Sequence, residues 1–124
     1  MARKFNILYV DDEPDNLLAF RSVFRRFYNV YTAAGGNEAI EFLKNFPIDL
    51  ILSDQRMPKM TGVELLSWVS QKYPSIKCMI VTGYSEMQPI LDAVQQGEVD
   101  HFITKPWKVD DLRQLFEDTL AEQN

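Results

Sequence analysis

The stretch DLILSDQRMPKMTG, residues 49–62, places a short apolar run directly before a carboxylate and a turn. Leu50–Ser53 has the length and composition of a buried strand, and Asp54 follows it at once. Pro58 and Gly62 then keep the chain from continuing as a helix. An aspartate at a strand end is a turn residue as readily as a reactive group. Its interpretation therefore depends on what the rest of the chain brings to the same place.

Four further apolar runs resemble Leu50–Ser53, and segments with helical spacing separate the five. The predicted strands are Asn6–Val10, Val30–Ala33, Leu50–Ser53, Cys78–Val81 and His101–Thr104, of which Val30–Ala33 is the weakest and is typical of an edge strand. The predicted helices are Pro14–Phe27, Asn37–Phe46, Gly62–Tyr73, a segment from Ser85 that stops at Gly97, and Asp110–Gln123. This alternation predicts an α/β fold with a five-stranded parallel sheet, right-handed crossovers and helices on both faces. We expect one domain over residues 1–124.

Composition excludes several classes of function. The 124 residues carry a net charge of −5, which argues against a nucleic-acid interface because such an interface would need a basic stripe. The single cysteine, Cys78, lies in an apolar run and is expected to be a core thiol. The sequence shows neither an N-terminal signal peptide nor an apolar stretch long enough to span a membrane. These observations predict a cytoplasmic domain that binds neither nucleic acid nor membrane.

Polar side chains follow four of the five predicted strands. They are Asp11 and Asp12 after the first strand, Asp54 after the third, Thr82 after the fourth and Lys105 after the fifth. In open parallel sheets, binding sites form beyond the carboxyl ends of the strands. Each residue alone has an ordinary structural explanation, such as an acidic helix start for the paired aspartates. Their joint placement at one rim predicts a site.

The chemistry of that site follows from its charges. Three carboxylates close together resist ionising together, and a divalent cation removes that penalty. Oxygen ligands without histidine or cysteine favour Mg²⁺ over Zn²⁺. A cation together with Lys105 and Thr82 would stabilise a phosphoryl group, and Asp54 could itself be the nucleophile that forms an aspartyl phosphate.

Four motifs strengthen this interpretation. ILYVDDEP, DLILSDQRMPKMTGVELL, IVTGYS and FITKPW occur in this order along the chain. With these motifs the sequence resembles, over essentially its whole length, the receiver domain of bacterial two-component response regulators. The resemblance implies a flavodoxin-like sheet with strand order 2-1-3-4-5, as in chemotaxis regulators.

The resemblance also implies a role for each residue at the rim. Asp54 would accept the phosphoryl group, Asp12 would bind Mg²⁺ directly, and Asp11 would act mainly through a water. The backbone carbonyl of Arg56 would complete the protein ligands of the metal. A domain of this kind is not a conventional enzyme, although it has Mg²⁺-dependent self-phosphorylation and dephosphorylation chemistry.

Other residues carried over from the family concern the switch. Thr82 and Lys105 would each contact a phosphoryl oxygen, and the bond between Lys105 and Pro106 would be cis. Phe102 matches the switch aromatic that swings inward as Thr82 moves. Arg56 and Tyr84 match positions at the mouth of the site, and we hypothesise that they set the lifetime of the phosphoryl group; exposed side chains without a kinetic role are the alternative.

The partners implied are a sensor histidine kinase or a histidine phosphotransfer protein, together with an output domain or a second receiver. The output surface would be the fourth helix, fifth strand and fifth helix, with Trp107 as a candidate contact, whereas Asn16 and Leu17 near the start of the first helix would face the kinase. Two other classes stay open: a small phosphatase with Asp54 as nucleophile, and a constitutive interaction module that is never phosphorylated.

Overall fold

The computed structural model describes residues 4–83 and 87–122. Strands and helices alternate through these residues from β1 to α5. The elements are β1 (Asn6–Val10), α1 (Pro14–Phe24), β2 (Asn29–Ala33), α2 (Gly36–Asn45), β3 (Leu50–Asp54), α3 (Gly62–Lys72), β4 (Lys77–Thr82), α4 (Met87–Gln95), β5 (His101–Thr104) and α5 (Val109–Ala121). This is the alternation that the apolar runs predict.

The five strands form one sheet in the order β2-β1-β3-β4-β5. All neighbouring strands are parallel, which confirms the predicted sheet and places β2 at an edge. Val10 pairs with Ser53, Asp54 with Val81, and Thr82 with Thr104. The strands therefore end at nearly the same level, and the residues that follow them share one rim of the sheet.

Apolar side chains cover both faces of the sheet, as the near-continuous apolar strands require. Leu8 and Val10 point into a cluster with residues of α2, α3 and α4. Ile7 and Tyr9 point to the opposite face, where Phe20 of α1 is among the residues that cover them, together with side chains of α5. The core is thus split by the sheet into two halves, and successive residues of a strand belong to different halves.

The first helix is shorter than predicted. Its helical spacing continues to Phe27, but α1 ends at Phe24. The amides of Phe27 and Tyr28 both bond to the carbonyl of Phe24, at 2.9 and 3.1 Å, and so close the helix in a turn. Tyr28 is then buried among the aromatic rings beneath α1, which directs the chain into β2. The prediction of a helix to Phe27 was wrong because aromatic spacing persists through this turn.

The other elements differ from their predicted ends by one or two residues. Asp54 and Thr82 are the last residues of their strands rather than the first residues after them. The predicted capping box opens α3, where Thr61 Oγ1 accepts a bond from the Glu64 amide at 3.2 Å. The similar pattern at Ser85 lies outside the described residues. Gly97, predicted to stop α4, adopts a φ of 79°, which favours glycine.

No helix within residues 4–83 and 87–122 has the length and apolar character needed to cross a membrane.

Candidate functional site

Three aspartates meet at the carboxyl rim of the sheet. Asp11, Asp12 and Asp54 each offer a carboxylate oxygen, and these oxygens lie within 4.8 Å of one another. Asp11 is fully buried, Asp54 is 8% exposed and Asp12 is exposed. The sequence therefore predicted correctly that these three acids converge.

Backbone bonds hold this rim in place. The backbone hydrogen bonds between neighbouring strands continue one residue past the ends of β1, β3 and β5. The amides of Asp11, Gln55 and Lys105 donate to the carbonyls of Ala33, Val81 and Thr82, respectively, at 2.8–3.1 Å. The positions of Asp54 and Lys105 are consequently fixed by the sheet and not by flexible loops. The Lys105–Pro106 bond is cis, as the resemblance implied.

Asp11 is held by three donors. Its Oδ1 accepts a bond from the Glu13 amide at 2.9 Å, and its Oδ2 accepts bonds from Tyr9 Oη at 2.7 Å and Asn16 Nδ2 at 3.1 Å. The side chain of Asn16 thus contacts the rim of the sheet, and the expectation that Asn16 and Leu17 face a kinase stays a prediction. The cap position of α1 is Glu13, without a side-chain cap, so the paired aspartates are not the N-cap of this helix.

Asp54 forms an ion pair with Lys105. Lys105 Nζ lies 2.9 Å from Asp54 Oδ1, with the lysine side chain about one third exposed. Burial raises the pKa of Asp54; Lys105 opposes this rise, while the charges of Asp11 and Asp12 add to it. Burial lowers the pKa of Lys105, but the bond and charge of Asp54 outweigh burial and raise this pKa overall. The folded structure thus disfavours the ionised form of the Asp54 carboxyl group. Additional positive charge at the rim would stabilise that form.

A cleft of about 320 Å³ opens beside this ion pair. Arg56 and Gly83 line it together with Asp54, Lys105 and Thr82, and Thr82 is almost fully buried at its inner wall. The cleft is next to the carboxylate that would react and is bordered by a lysine and a hydroxyl, so an anion entering it would meet the donors that a phosphoryl group needs.

The remaining predicted residues fall in different places. Arg56 is exposed. Tyr84 lies outside the described residues. Phe102 is half-buried and packs against the cluster formed with α2, α3 and α4. Trp107 is half-buried against Phe24, with ring centroids 5.7 Å apart, so only part of it faces outward.

Two residues that support Asp54 were missed from sequence. Gln55 is 2% exposed, and its Oε1 accepts a bond from the Val63 amide at 2.9 Å at the start of α3. Gly62 packs so closely that a Cβ there would lie 2.5 Å from the carbonyl oxygen of Asp54. Both contacts join α3 to the end of β3, and neither has a signal in the spacing of the chain.

The acids fit a hard divalent cation. Their donor atoms are all carboxylate oxygens, one carboxylate is exposed enough to bind an ion that keeps several waters, and burial disfavours the charge on another. This donor set is typical of Mg²⁺ sites and unlike those of zinc.

Comparison with known proteins identifies the family. The sequence model of the response regulator receiver domain family matches residues 7–117. This chain is a response regulator receiver domain. Receiver domains are signalling switches of two-component systems.

Relatives of this receiver domain include both regulators and solved structures. The hydrogenase transcriptional regulatory protein HoxA of Cupriavidus necator is 34% identical over 110 residues, which cover 89% of this chain and 23% of HoxA. A CheY-like receiver domain protein from Methanospirillum hungatei is 30% identical with a TM-score of 0.90, covering 98% of this chain and 97% of that one. The response regulator TrrA of Thermotoga maritima, solved in complex with Mg²⁺ and BeF, is 26% identical with a TM-score of 0.81, covering 93% of this chain and 98% of that one.

The curated relatives are longer proteins. This chain spans about a quarter of the length of those it matches. The similarity therefore concerns their receiver domains.

Proposed function

We propose that this receiver domain is a phosphoacceptor switch in which Asp54 takes a phosphoryl group from a sensor histidine kinase or a histidine phosphotransfer protein. The observation that carries the proposal is the 2.9 Å ion pair between Asp54 and Lys105 within a cluster of three carboxylates. A reactive carboxylate, a cation-binding pair of acids and a fixed ammonium group are the parts that phosphoryl transfer requires.

In the transfer, an oxygen of Asp54 attacks phosphorus as the bond from phosphorus to the donor histidine nitrogen breaks. The donor histidine carries a proton on its other ring nitrogen, so the nitrogen that loses phosphorus keeps the electron pair and the ring leaves as a neutral imidazole. After the transfer, Lys105 would exchange its hydrogen bond to Asp54 for one to a phosphoryl oxygen. Thr82 also lines the cleft, and its hydroxyl would donate a hydrogen bond to a second phosphoryl oxygen.

Asp12 would bind Mg²⁺ directly, Asp11 mainly through water, and Asp54 and the backbone carbonyl of Arg56 would complete the protein ligands. When bound, Mg²⁺ supplies positive charge that offsets repulsion among the acids and the incoming phosphoryl group. The TrrA structure, which holds Mg²⁺ and BeF, supports a site of this kind in a related fold.

Phosphorylation adds about two negative charges at Asp54 and so changes which positions of Thr82 and Phe102 are favoured. We propose that this change biases the surface formed by α4, β5 and α5 between two arrangements. An output domain or a second receiver would bind there. Phe102 is half-buried and packs against the core cluster that includes residues of α4, which links its position to that helix.

Arg56 and Tyr84 are proposed to control the lifetime of the phosphoryl group. Arg56 lines the cleft through which attacking water would approach Asp54. Replacing Arg56 with alanine should change the rate of dephosphorylation without changing the amount of phosphoprotein formed at saturation. An unchanged rate in that variant and in a double variant with Tyr84→Ala would reject this role.

The proposal places the domain, residues 1–124, in the cytoplasm with its kinase. Relatives such as HoxA are described as transcriptional regulators. In a longer regulator of that kind, contact with DNA would belong to another domain, since the net charge of this one is −5.

The test is intact-mass spectrometry after incubation with acetyl phosphate and Mg²⁺. We expect one phosphoryl adduct on the wild-type protein, no adduct with a chelator and none on Asp54→Asn. Asp100→Asn is a matched control, because Asp100 is an aspartate at the opposite end of the sheet. An adduct that survives in Asp54→Asn would reject Asp54 as the acceptor. No adduct under any donor, a histidine phosphotransfer protein included, would favour a constitutive interaction module.

A further inference from the structure

Tyr9 makes a contact with the acid rim that its place in an apolar strand does not suggest. Its hydroxyl donates to Asp11 Oδ2 at 2.7 Å, and both residues are buried, at 3% and 0% exposure. Residues 9 and 11 are two positions apart on an extended chain, so their side chains point to the same face. The phenol therefore reaches the carboxylate from below, inside the core.

The ring of Tyr9 is held as firmly as its hydroxyl. It stacks on Phe20 of α1 with ring centroids 4.4 Å apart and planes inclined by 23°. Phe20 in turn meets Phe116 of α5 edge to face at 6.2 Å. A ring fixed in this way has little freedom, so its hydroxyl donates from a constant position.

Asp11 has few lone pairs left for anything else. A carboxylate has about four acceptor sites, and Tyr9, Asn16 and the Glu13 amide use three of them. The three donors fix the plane and the tilt of the carboxylate before a cation arrives. They also offset the cost of burying its charge.

We infer that Tyr9 is a positioning residue for the cation, acting through the Asp11 carboxylate. The inference rests on the proposed Mg²⁺ site and extends it to the core beneath the rim. Groups that orient metal ligands commonly change metal affinity by about 10- to 100-fold when they are removed. Mg²⁺ keeps its bound waters in near-ideal octahedral geometry, whereas Ca²⁺ tolerates irregular geometry. A fixed orientation of Asp11 toward one of those waters therefore favours Mg²⁺ more than Ca²⁺.

The chain contains a matched control for this hydroxyl. Tyr28 is also a buried tyrosine of the same aromatic cluster, and its hydroxyl donates to Glu117 Oε2 at 2.5 Å. Glu117 belongs to α5 and is not one of the three acids at the rim. Tyr28→Phe therefore removes another hydrogen bond between a buried tyrosine and a carboxylate, here a partly buried one to the exposed Glu117, away from the cation site.

The experiment titrates the wild-type protein, Tyr9→Phe and Tyr28→Phe with Mg²⁺ and, separately, with Ca²⁺ by isothermal titration calorimetry. We expect Tyr9→Phe to weaken Mg²⁺ binding about tenfold and Ca²⁺ binding by less than about threefold. Tyr28→Phe should match the wild-type protein for both ions. If Tyr9→Phe unfolds in plain buffer, all titrations are run with sucrose, which favours the folded state.

Two results would overturn the inference. Equal weakening of both ions in Tyr9→Phe would show that the hydroxyl supports the fold in general and not the orientation of Asp11. Unchanged Mg²⁺ binding in folded Tyr9→Phe would show that Asp11 does not need this donor. A wild-type protein that binds no Mg²⁺ would instead reject the metal site of the proposed function, and with it this inference.

Discussion

Aspartates lie at both ends of the sheet, and the structure uses them in opposite ways. At the amino end, Asp49 Oδ2 accepts a bond from the Asn6 amide and Asp100 Oδ2 accepts one from the Cys78 amide, each at 2.8 Å. These carboxylates accept hydrogen bonds from the amides of the first residue of β1 and the second residue of β4. Each of these carboxylates helps to hold the sheet together, and the amide that donates to it stabilises its charge.

The aspartates of the carboxyl end are crowded together instead. Asp54 is buried near Asp11 and Asp12, and its pKa is raised by burial and by their charges despite its bond to Lys105. Aspartates thus stabilise the fold at the amino end of the sheet, whereas at the carboxyl end the ionised Asp54 is electrostatically unfavourable. Asp49 and Asp100 each accept a hydrogen bond from a backbone amide, whereas Asp54 pairs with Lys105 and lies beside two other acids.

The carboxyl end is shaped by backbone contacts. Gln55 and Gly62 join β3 to α3, and Gly62 leaves no room for a side chain against the Asp54 carbonyl. Substitutions at the two ends should therefore change stability for different reasons: loss of a hydrogen bond at the amino end, and steric or charge effects at the carboxyl end.

The largest effect is expected from Gly62→Ala. The added Cβ would lie 2.5 Å from the Asp54 carbonyl oxygen and 2.8 Å from Ile80 Cδ1, and the main-chain atom cannot move away without distorting β3. We expect a loss of about 3 kcal/mol in the free energy of unfolding, measured in urea. Gly35→Ala is the control, because nothing lies within 4 Å of a Cβ there, and it should cost about 1 kcal/mol or less. Equal losses in the two variants would contradict a close contact at Gly62.

Asp100→Ala should have the next largest effect. It removes the charged group that accepts a hydrogen bond from the amide of the buried Cys78, at a cost of about 2 kcal/mol. Phosphorylation by acetyl phosphate should be retained. Asp118→Ala, which changes an exposed aspartate of α5, should stay within about 0.5 kcal/mol of the wild-type protein. Loss of phosphorylation in folded Asp100→Ala would show that the two ends are not independent.

Asp54→Asn should change stability in the opposite direction. A raised pKa means that folding disfavours the ionised carboxylate, so a neutral amide of the same shape removes that cost at pH 7. The charge attraction to Lys105 is lost, but the lysine side chain is 38% exposed, and its ammonium group can still donate a hydrogen bond to the amide oxygen. We expect a gain of about 1 kcal/mol in the free energy of unfolding in the presence of a chelator. A destabilised variant would mean that the acid rim is structural after all.

The smallest effect concerns Cys78 at the amino end. Burial, followed by the charge of Asp100, raises the pKa of its thiol to about 12, so the folded protein keeps the thiol protonated at pH 8. Iodoacetamide should react with it only slowly until the protein is denatured, because the thiolate is the nucleophile. Asp100→Ala should speed this reaction by loosening the start of β4. Rapid alkylation of the folded wild-type protein would contradict the burial of Cys78.

The strands and the site residues were predictable because each depends on a short local pattern. An apolar run such as Leu50–Ser53 identifies a buried strand, and the polar residue after it identifies the rim. Helix ends were less predictable: the spacing of aromatic residues continues through the turn after Phe24, where only burial of Tyr28 reveals the change of direction.

The supporting contacts were not predictable from pattern. The phenol of Tyr9 looks like one more apolar residue of β1, although its separation of two residues from Asp11 is a signal in hindsight. The side-chain bond of Gln55 to Val63 and the contact of Gly62 with Asp54 depend on how α3 packs on the sheet. Such contacts between elements have no period along the chain.

The alternation of side chains between the two halves of the core also limits which genetic changes the domain tolerates. Asp54 points to the side of Leu50 and Leu52, which pack with α1 and α5, whereas Ser53 lies with Ile51 on the other side. Deleting a single codon within residues 50–52 would move Asp54 into the place of Ser53 and turn its carboxylate toward the apolar half beneath α2, α3 and α4. Insertions and deletions that keep Asp54 at the rim should therefore be confined to the loops between the strands.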